Sequence, residues 1–127
     1  MRLVLVILTG FAFAGSAAAD VDQRHDNVED CLAQAQGVTM EVDFCLSDEA
    51  ERQDVRLNAA YEKALGMAEE GQRELLAQSQ KDFLAYRDSW CAAKSGFLGS
   101  GRNQYRAQCH IRTTRERIAG LEGFDVP

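Results

Sequence analysis

The hydrophobic and polar positions of this chain repeat mainly with the period of an α-helix, and the pattern predicts four helices. The first spans residues 22–36, where apolar side chains three and four positions apart form one face, and Gly37 ends it. A connector over residues 37–46 follows, and its apolar residues are expected to cover the end of the core: Met40, Val42 and Phe44. The chain's one proline is Pro127, so no proline interrupts a helix.

The second predicted helix starts at Ser47, a favourable N-cap followed by acidic residues, and ends near Glu70, with Gly71 as its stop. Its inner face contains one polar member, Asp54, which needs a partner if it is buried. The whole face comprises Ala50, Asp54, Leu57, Tyr61, Ala64, Leu65 and Ala68.

The third predicted helix covers residues 72–94, and its aromatic second half is expected to supply the centre of the core. Its inner face is predicted to hold Leu75, Leu76, Ser79, Phe83, Tyr86, Arg87 and Trp90. A glycine-rich loop with an apolar tip, residues 95–101, leads to the fourth helix over residues 102–121. No segment has a strand pattern. The sequence therefore predicts an all-α fold, a small antiparallel bundle of about four helices.

The first nineteen residues have the pattern of a secretory signal peptide. A short positive start, Met1-Arg2, precedes an apolar run too short for a bilayer, which needs about 20 apolar residues. Small residues at 17–19 then form a cleavage site. We expect a helical domain over residues 20–127 that is periplasmic or secreted. No cysteine follows the cleavage site, so no membrane anchor is expected after cleavage.

The cysteine count fits this compartment. Four cysteines in a small exported chain predict two disulfides, and three pairings are open. We favour Cys31–Cys45 and Cys91–Cys109, because each pair brackets a short segment between predicted helices. Neither a C-x-x-C pair nor the close paired ligands of a zinc site occur, although Cys109 and His110 are adjacent. We expect no metal and no cofactor.

The charge balance narrows the class of partner. The full chain carries a net charge of −6, which becomes −7 once Arg2 leaves with residues 1–19. This acidity argues against nucleic acid as a partner and favours a cationic one. The alternative interpretation is that the charge only keeps the protein soluble.

Catalytic motifs are missing from the sequence. It contains no G-x-S-x-G, no H-E-x-x-H and no phosphate-binding glycine loop, so we predict that the protein is not an enzyme. Arg87 falls near the inner face of its helix, and a half-buried guanidinium needs a partner such as Asp54 or Glu62. We interpret these residues as a polar network between helices, with a ligand anchor as the alternative.

One set of residues carries a family resemblance. Leu57-Asn58 and Tyr61 are followed by Gln80, Phe83, Tyr86-Arg87-Asp88 and Cys91, and then by Cys109, Thr114, Arg117 and Leu121. This order and spacing resemble the LprI N-terminal family of small exported bacterial proteins, named for a lysozyme inhibitor. Phe83 stands where the family pattern has Trp. The resemblance implies a helical, disulfide-stapled protein and suggests lysozyme inhibition, with framework roles for Asn58, Tyr61, Arg87, Asp88 and Arg117. We expect these five residues and Asp54 to form the structural polar network.

Two functions therefore compete. In the first, the chain binds and inhibits a cationic lysozyme through a loop, residues 94–104. Phe97 and Leu98 would be the anchors, and Arg102 would pair with a catalytic carboxylate of the lysozyme. In the second, it is a non-enzymatic envelope module, of the partner-binding or immunity type. We expect a monomer in either case.

Overall fold

The computed structural model describes residues 27–96 and 99–124 and contains four α-helices there. They are α1 (Val28–Ala35), α2 (Thr39–Met67), α3 (Glu70–Ser95) and α4 (Arg102–Glu122), with a 3-10 turn at Gly99–Gly101 before α4. No strand occurs in these two ranges, and the predicted all-α bundle of about four helices is confirmed. The candidate signal peptide, residues 1–19, lies outside the described residues.

Successive helices run antiparallel, so α2 and α4 are parallel to each other. Residues 43–47 of α2 and residues 103–107 of α4 line one cleft, whereas Glu49 bonds to Arg115 further along. Because α3 runs the other way, its late residue Cys91 meets the early residue Cys109 of α4. The α1–α2 turn and the α3–α4 turn therefore lie at the same end of the bundle.

The described core consists of small clusters, two of which include residues of α4, while the one around Cys31, Ala35 and Cys45 joins only α1 and α2. The largest joins the second half of α2 to the start of α3 and the end of α4: Leu57, Ala60, Ala64, Ala68, Leu76 and Leu121. A second cluster joins Val28 of α1, Leu46 of α2 and Ile111 of α4. Helix α4 is the common partner, and it packs against both α2 and α3, which touch each other little.

Both predicted disulfides are present. Cys31–Cys45 joins α1 to α2 with Cα atoms 5.7 Å apart, and Cys91–Cys109 joins α3 to α4 with Cα atoms 5.6 Å apart. All four cysteines are buried, and no described cysteine is free. Each bridge therefore fixes one of the two helix pairs that meet at this end of the bundle.

The predicted connector over residues 37–46 is wrong, because α2 already begins at Thr39 and runs through Ser47 without a break. Gly37, with φ of +79°, does follow α1, but only Gln36–Val38 separate the two helices. The reason is that Cys45 and Leu46 face inward in register with the rest of α2. Met40 and Phe44 do not cover the core, since they are 79% and 58% exposed.

The boundary between α2 and α3 also differs from the prediction. Helix α2 ends at Met67, and Glu69 caps α3 by a capping box in which the Gln72 side chain accepts from the Glu69 backbone N–H at 2.9 Å. This reciprocal cap lets α3 start before Gly71, which was predicted to stop the preceding helix.

The aromatic half of α3 does not form the core centre. Tyr86 is 54% exposed and Trp90 is 43% exposed, and Leu75 is also exposed. Adjacent helical residues point about 100° apart, and Arg87 takes the inward position, so Tyr86 is turned outward. The inward positions of α3 hold Leu76, Gln80, Arg87, Cys91 and Ser95.

Candidate functional site

The buried guanidinium of Arg87 lies where α2, α3 and α4 meet. Its Nη1 donates to Asp54 Oδ1 at 2.6 Å and to Thr114 Oγ1 at 3.0 Å, and its Nε donates to Asp88 Oδ1 at 3.3 Å. Of the two partners proposed from the sequence, Asp54 makes this contact and Glu62 does not. Because the guanidinium is buried while both carboxylates are about half exposed, these bonds compensate the loss of hydration around its charge.

Arg117 forms a second polar contact between α4 and α3. Its Nε donates to Gln80 Oε1 at 3.1 Å and its Nη2 to Ser79 Oγ at 2.9 Å, and its guanidinium lies 5.5 Å from the ring centroid of Phe83. Burial lowers the pKa of Arg117 from its usual value. The side chain nevertheless stays charged at neutral pH, since arginine does not lose its proton in proteins.

The remaining two residues of the predicted polar network lie apart from these bonds. Tyr61 packs half-buried against the core cluster of α2, α3 and α4. Asn58 is exposed on α2. The structure therefore brings Asp54, Arg87 and Asp88 together and leaves Asn58 and Tyr61 outside that group.

A buried carboxylate, Glu49, was missed by the sequence analysis. Its Oε1 accepts from Gln53 at 2.7 Å and from Arg115 of α4 at 2.6 Å, and its Oε2 accepts from Arg52, which also pairs with Asp48. Burial by itself raises the pKa of Glu49, but these hydrogen bonds outweigh it and the pKa is lowered. The spacing of Glu49 and Gln53 with Leu46 and Leu57 was the available signal.

A polar cleft of about 370 Å³ opens between the first halves of α2 and α4. Asp43, Ser47 and His110 all line it, which places the three residue types of a hydrolytic triad in one cleft. A triad needs hydrogen bonds from nucleophile to base and from base to carboxylate. Among the described residues, however, Asp43 Oδ1 and His110 Nε2 are buried without a hydrogen-bond partner. The arrangement therefore lacks the bonds of a triad.

The electrostatic surroundings of His110 favour its neutral form. Burial lowers its pKa, and the nearby positive charge of Arg87 adds to that effect. The closest ion-pair contact is with Asp88, whose Oδ1 lies 3.8 Å from His110 Nε2 and acts in the opposite direction. His110 is thus a neutral, polar wall of the cleft near pH 7.

The α3–α4 turn carries the residues predicted to contact a partner. Arg102 is the first residue of α4, is exposed, and reaches back to donate from Nη2 to the carbonyl oxygen of Gly96 at 3.4 Å. Phe97 and Leu98 lie outside the described residues. On the neighbouring face of α3, Lys94 Nζ lies 5.3 Å from the Trp90 ring centroid.

The α1–α2 turn carries a shallow apolar groove of about 500 Å³, which we call the corner groove. Its floor is the Cys31–Cys45 bridge with Ala35, and its walls include Met40, Phe44 and the carboxylate of Glu41. Val38, at the turn itself, is 51% exposed. Large apolar side chains are thus grouped at the surface around one acidic residue.

The two turns differ in charge. Residues 27–54, which we call the acidic segment, contain eight carboxylates and a single basic residue, Arg52. Residues 94–106, which we call the basic turn, contain three basic residues and no acidic one: Lys94, Arg102 and Arg106. The acidity of the chain is therefore concentrated at α1 and the first half of α2, beside a positive neighbour.

Several carboxylates of the acidic segment have no ion-pair partner among the described residues. In residues 27–96 and 99–124, no ion pair involves Glu29, Asp30, Glu41, Asp43 or Glu51. The same part of the chain has no group of three or more side chains able to hold a metal ion. None of its helices is both long and apolar enough to cross a membrane.

Comparison with known proteins identifies one family. The family model described as "Lysozyme inhibitor LprI" matches residues 31–121, from the first cysteine to the last buried residue of α4. No curated protein and no solved structure matches the chain. The matched range includes both disulfides and all four helices except the first turn of α1 and the last residue of α4.

Proposed function

This chain belongs to the family of the lysozyme inhibitor LprI, and from that membership we propose that it is an exported protein that binds and inhibits lysozyme. The family match over residues 31–121 is the observation that carries this proposal. The activity would be a protein–protein contact that denies the substrate access to the enzyme. It requires no cofactor.

Export is supported by the sequence and by the cysteines. Residues 1–19 have the signal-peptide pattern, and cleavage there would make Asp20 the first residue of the mature protein. Two disulfides are typical of proteins that fold in an oxidising compartment. The proposed location is the periplasm or the extracellular space, where the protein would meet a lysozyme that attacks the cell wall.

The charge pattern at the disulfide-bonded end suits this target. Animal lysozymes are generally cationic, while their catalytic cleft is built around two carboxylic side chains. The acidic segment would attract the cationic exterior and speed association. In the basic turn, Arg102 would face the carboxylates of the cleft, with Phe97 and Leu98 as apolar anchors.

The deciding experiment is inhibition of a cationic lysozyme by the purified, oxidised mature protein at low and at physiological salt. We expect stoichiometric inhibition that weakens as salt increases, because charges exposed to solvent are screened. If a folded, helical sample inhibits no class of lysozyme, the proposal fails, and a non-enzymatic envelope module with another partner becomes the better interpretation.

A further inference from the structure

The corner groove has the composition of a protein-docking site. Met40 and Phe44, 79% and 58% exposed, stand beside the buried Cys31–Cys45 bridge on a single turn of chain. Large apolar side chains grouped at the surface of a small protein mark contact sites more often than isolated ones do.

The charge around the groove decides which occupant fits. Glu41 lines the groove and forms no ion pair within the described chain. Outside the groove lining, Asp30 and Glu51 of the same acidic segment are also exposed and form no ion pair among the described residues. The single basic residue of the segment, Arg52, is already bonded to Asp48 and Glu49. An apolar groove that is lined by one unpaired carboxylate and lies in an acidic segment repels an acidic surface and attracts a cationic one.

We propose that the corner groove docks a lysine or arginine side chain of a cationic partner protein, with lysozyme as the partner. The partner's identity rests on the proposed function, whereas the side-chain chemistry follows from the groove. Both residues have an aliphatic stem and a charged head. The stem would lie on Met40, Ala35 and the disulfide, and the head would reach the carboxylate of Glu41.

The carboxylate of the groove favours arginine over lysine. A guanidinium pairs with a carboxylate in two parallel hydrogen bonds, which an ammonium cannot do. Glu41, in the groove lining, supplies the carboxylate for such a pair. The groove is also rigid, because the bridge fixes α1 against α2 and little side-chain freedom is lost on binding.

Three variants of the full mature protein test this proposal in binding measurements with a cationic lysozyme. Met40→Gln/Phe44→Gln removes the apolar walls with a helix-compatible residue, and Glu41→Gln removes the carboxylate alone. The matched control is Met67→Gln/Leu75→Gln, because both residues are exposed and lie at the opposite end of the bundle. Circular dichroism verifies that each variant keeps the wild-type helicity.

We expect the groove double variant to bind about tenfold more weakly, as for loss of a central interface contact. Glu41→Gln should lower affinity about threefold, chiefly through the association rate and with a reduced salt dependence. The control should bind like the wild type.

The two proposals fail in different ways. If the wild type binds lysozyme and the folded groove variants bind it equally well, the groove assignment is wrong and the inhibitor function stands. If the folded wild type binds no lysozyme at all, the proposed function is wrong, and the assignment of lysozyme to this groove falls with it.

Discussion

The two helix pairs that meet at one end of this molecule are built alike and charged oppositely. Each pair is closed by a disulfide that spans a short stretch of sequence, 14 residues for Cys31–Cys45 and 18 for Cys91–Cys109. One bridge underlies the acidic segment with its corner groove, and the other underlies the basic turn with Arg102. A disulfide of the same kind thus lies beneath two surfaces of different charge at one end of the protein.

This difference shows that net charge is a poor guide to how the chain meets a partner. A net charge of −6 suggests an acidic surface throughout, yet all the charged side chains of residues 94–106 are positive. A cationic protein with an acidic cleft is complementary to both surfaces, whereas a uniformly cationic protein would suit only the acidic segment. The end of the bundle that carries both the acidic segment and the basic turn therefore restricts the class of partner more than the net charge does.

The two helix pairs also differ in how they are tied to the core. Helix α1 has eight residues, and a helix this short is marginal in isolation. Helices α3 and α4, by contrast, are long and share the Arg87 and Arg117 contacts in addition to their bridge. The Cys31–Cys45 bridge therefore holds a small element, and the Cys91–Cys109 bridge belongs to the central three-helix unit.

Removing each bridge in turn gives the largest expected effect. Loops of this length contribute nearly the same chain entropy, about 3 kcal/mol. We expect Cys91→Ala/Cys109→Ala to lower the free energy of unfolding by about that amount. Cys31→Ala/Cys45→Ala should instead release α1 locally, with a small loss of helicity and little change in the global transition.

Urea unfolding followed by circular dichroism, together with amide hydrogen exchange in α1, measures both effects. Equal losses of global stability in the two variants would show that α1 belongs to the cooperative unit. Helix α1 would then unfold together with α3 and α4, and the predicted difference in stability between the two helix pairs would be wrong.

The basic turn provides the next test, with an effect on inhibition rather than stability. Replacing its predicted anchors, Phe97→Ser/Leu98→Ser, should weaken inhibition about tenfold and leave helicity intact, as expected for loss of apolar interface anchors. The loss should reside mainly in the dissociation rate. Glu41→Gln, at the other turn, should instead act on the association rate and its salt dependence.

Inhibition constants and binding kinetics at two salt concentrations distinguish these patterns. Unchanged inhibition by the double serine variant would remove the basic turn from the contact. The corner groove would then be the sole proposed docking surface of the two.

The sequence predicted the helical class, the number of helices and both bridges because these depend on local patterns. The apolar period, the missing internal proline and the short cysteine spacings each report on nearby residues. The prediction of a connector over residues 37–46 was wrong because Met40, Val42 and Phe44 alternate with polar residues, and such alternation is not typical of a helix. In the structure that alternation arises because Met40 and Phe44 face solvent on a continuous helix.

The site residues were harder to predict, since they depend on contacts between helices. The sequence indicates that Arg87 needs a partner, but the two candidates, Asp54 and Glu62, lie two turns apart on one helix. Only the position of Arg87 relative to α2 in the folded protein selects Asp54. Glu49 was assigned to a helix N-terminus because it follows Ser47, whereas the earlier start of α2 places it in the middle of that helix. Its burial against Arg115, 66 residues away, has no local signature.

The bond between Glu49 and Arg115 joins the acidic segment to α4. Removing it should have the smallest effect on the free energy of unfolding, and that effect should be confined to acidic pH. Because the pKa of Glu49 in the folded protein lies below its ordinary value of 4.5, the unfolded chain binds a proton more readily than the folded one. The stabilising contribution is complete above pH 4.5 and is lost as the pH falls through the lower, folded-state pKa. Glu49→Gln should therefore show a shallower loss of stability below pH 4.5 than the wild type.

Urea midpoints across this pH range measure that loss. The control is Glu41→Gln, which should retain the wild-type slope because Glu41 is exposed and forms no ion pair among the described residues. Identical slopes for all three proteins would mean that Glu49 does not couple the acidic segment to α4 in solution.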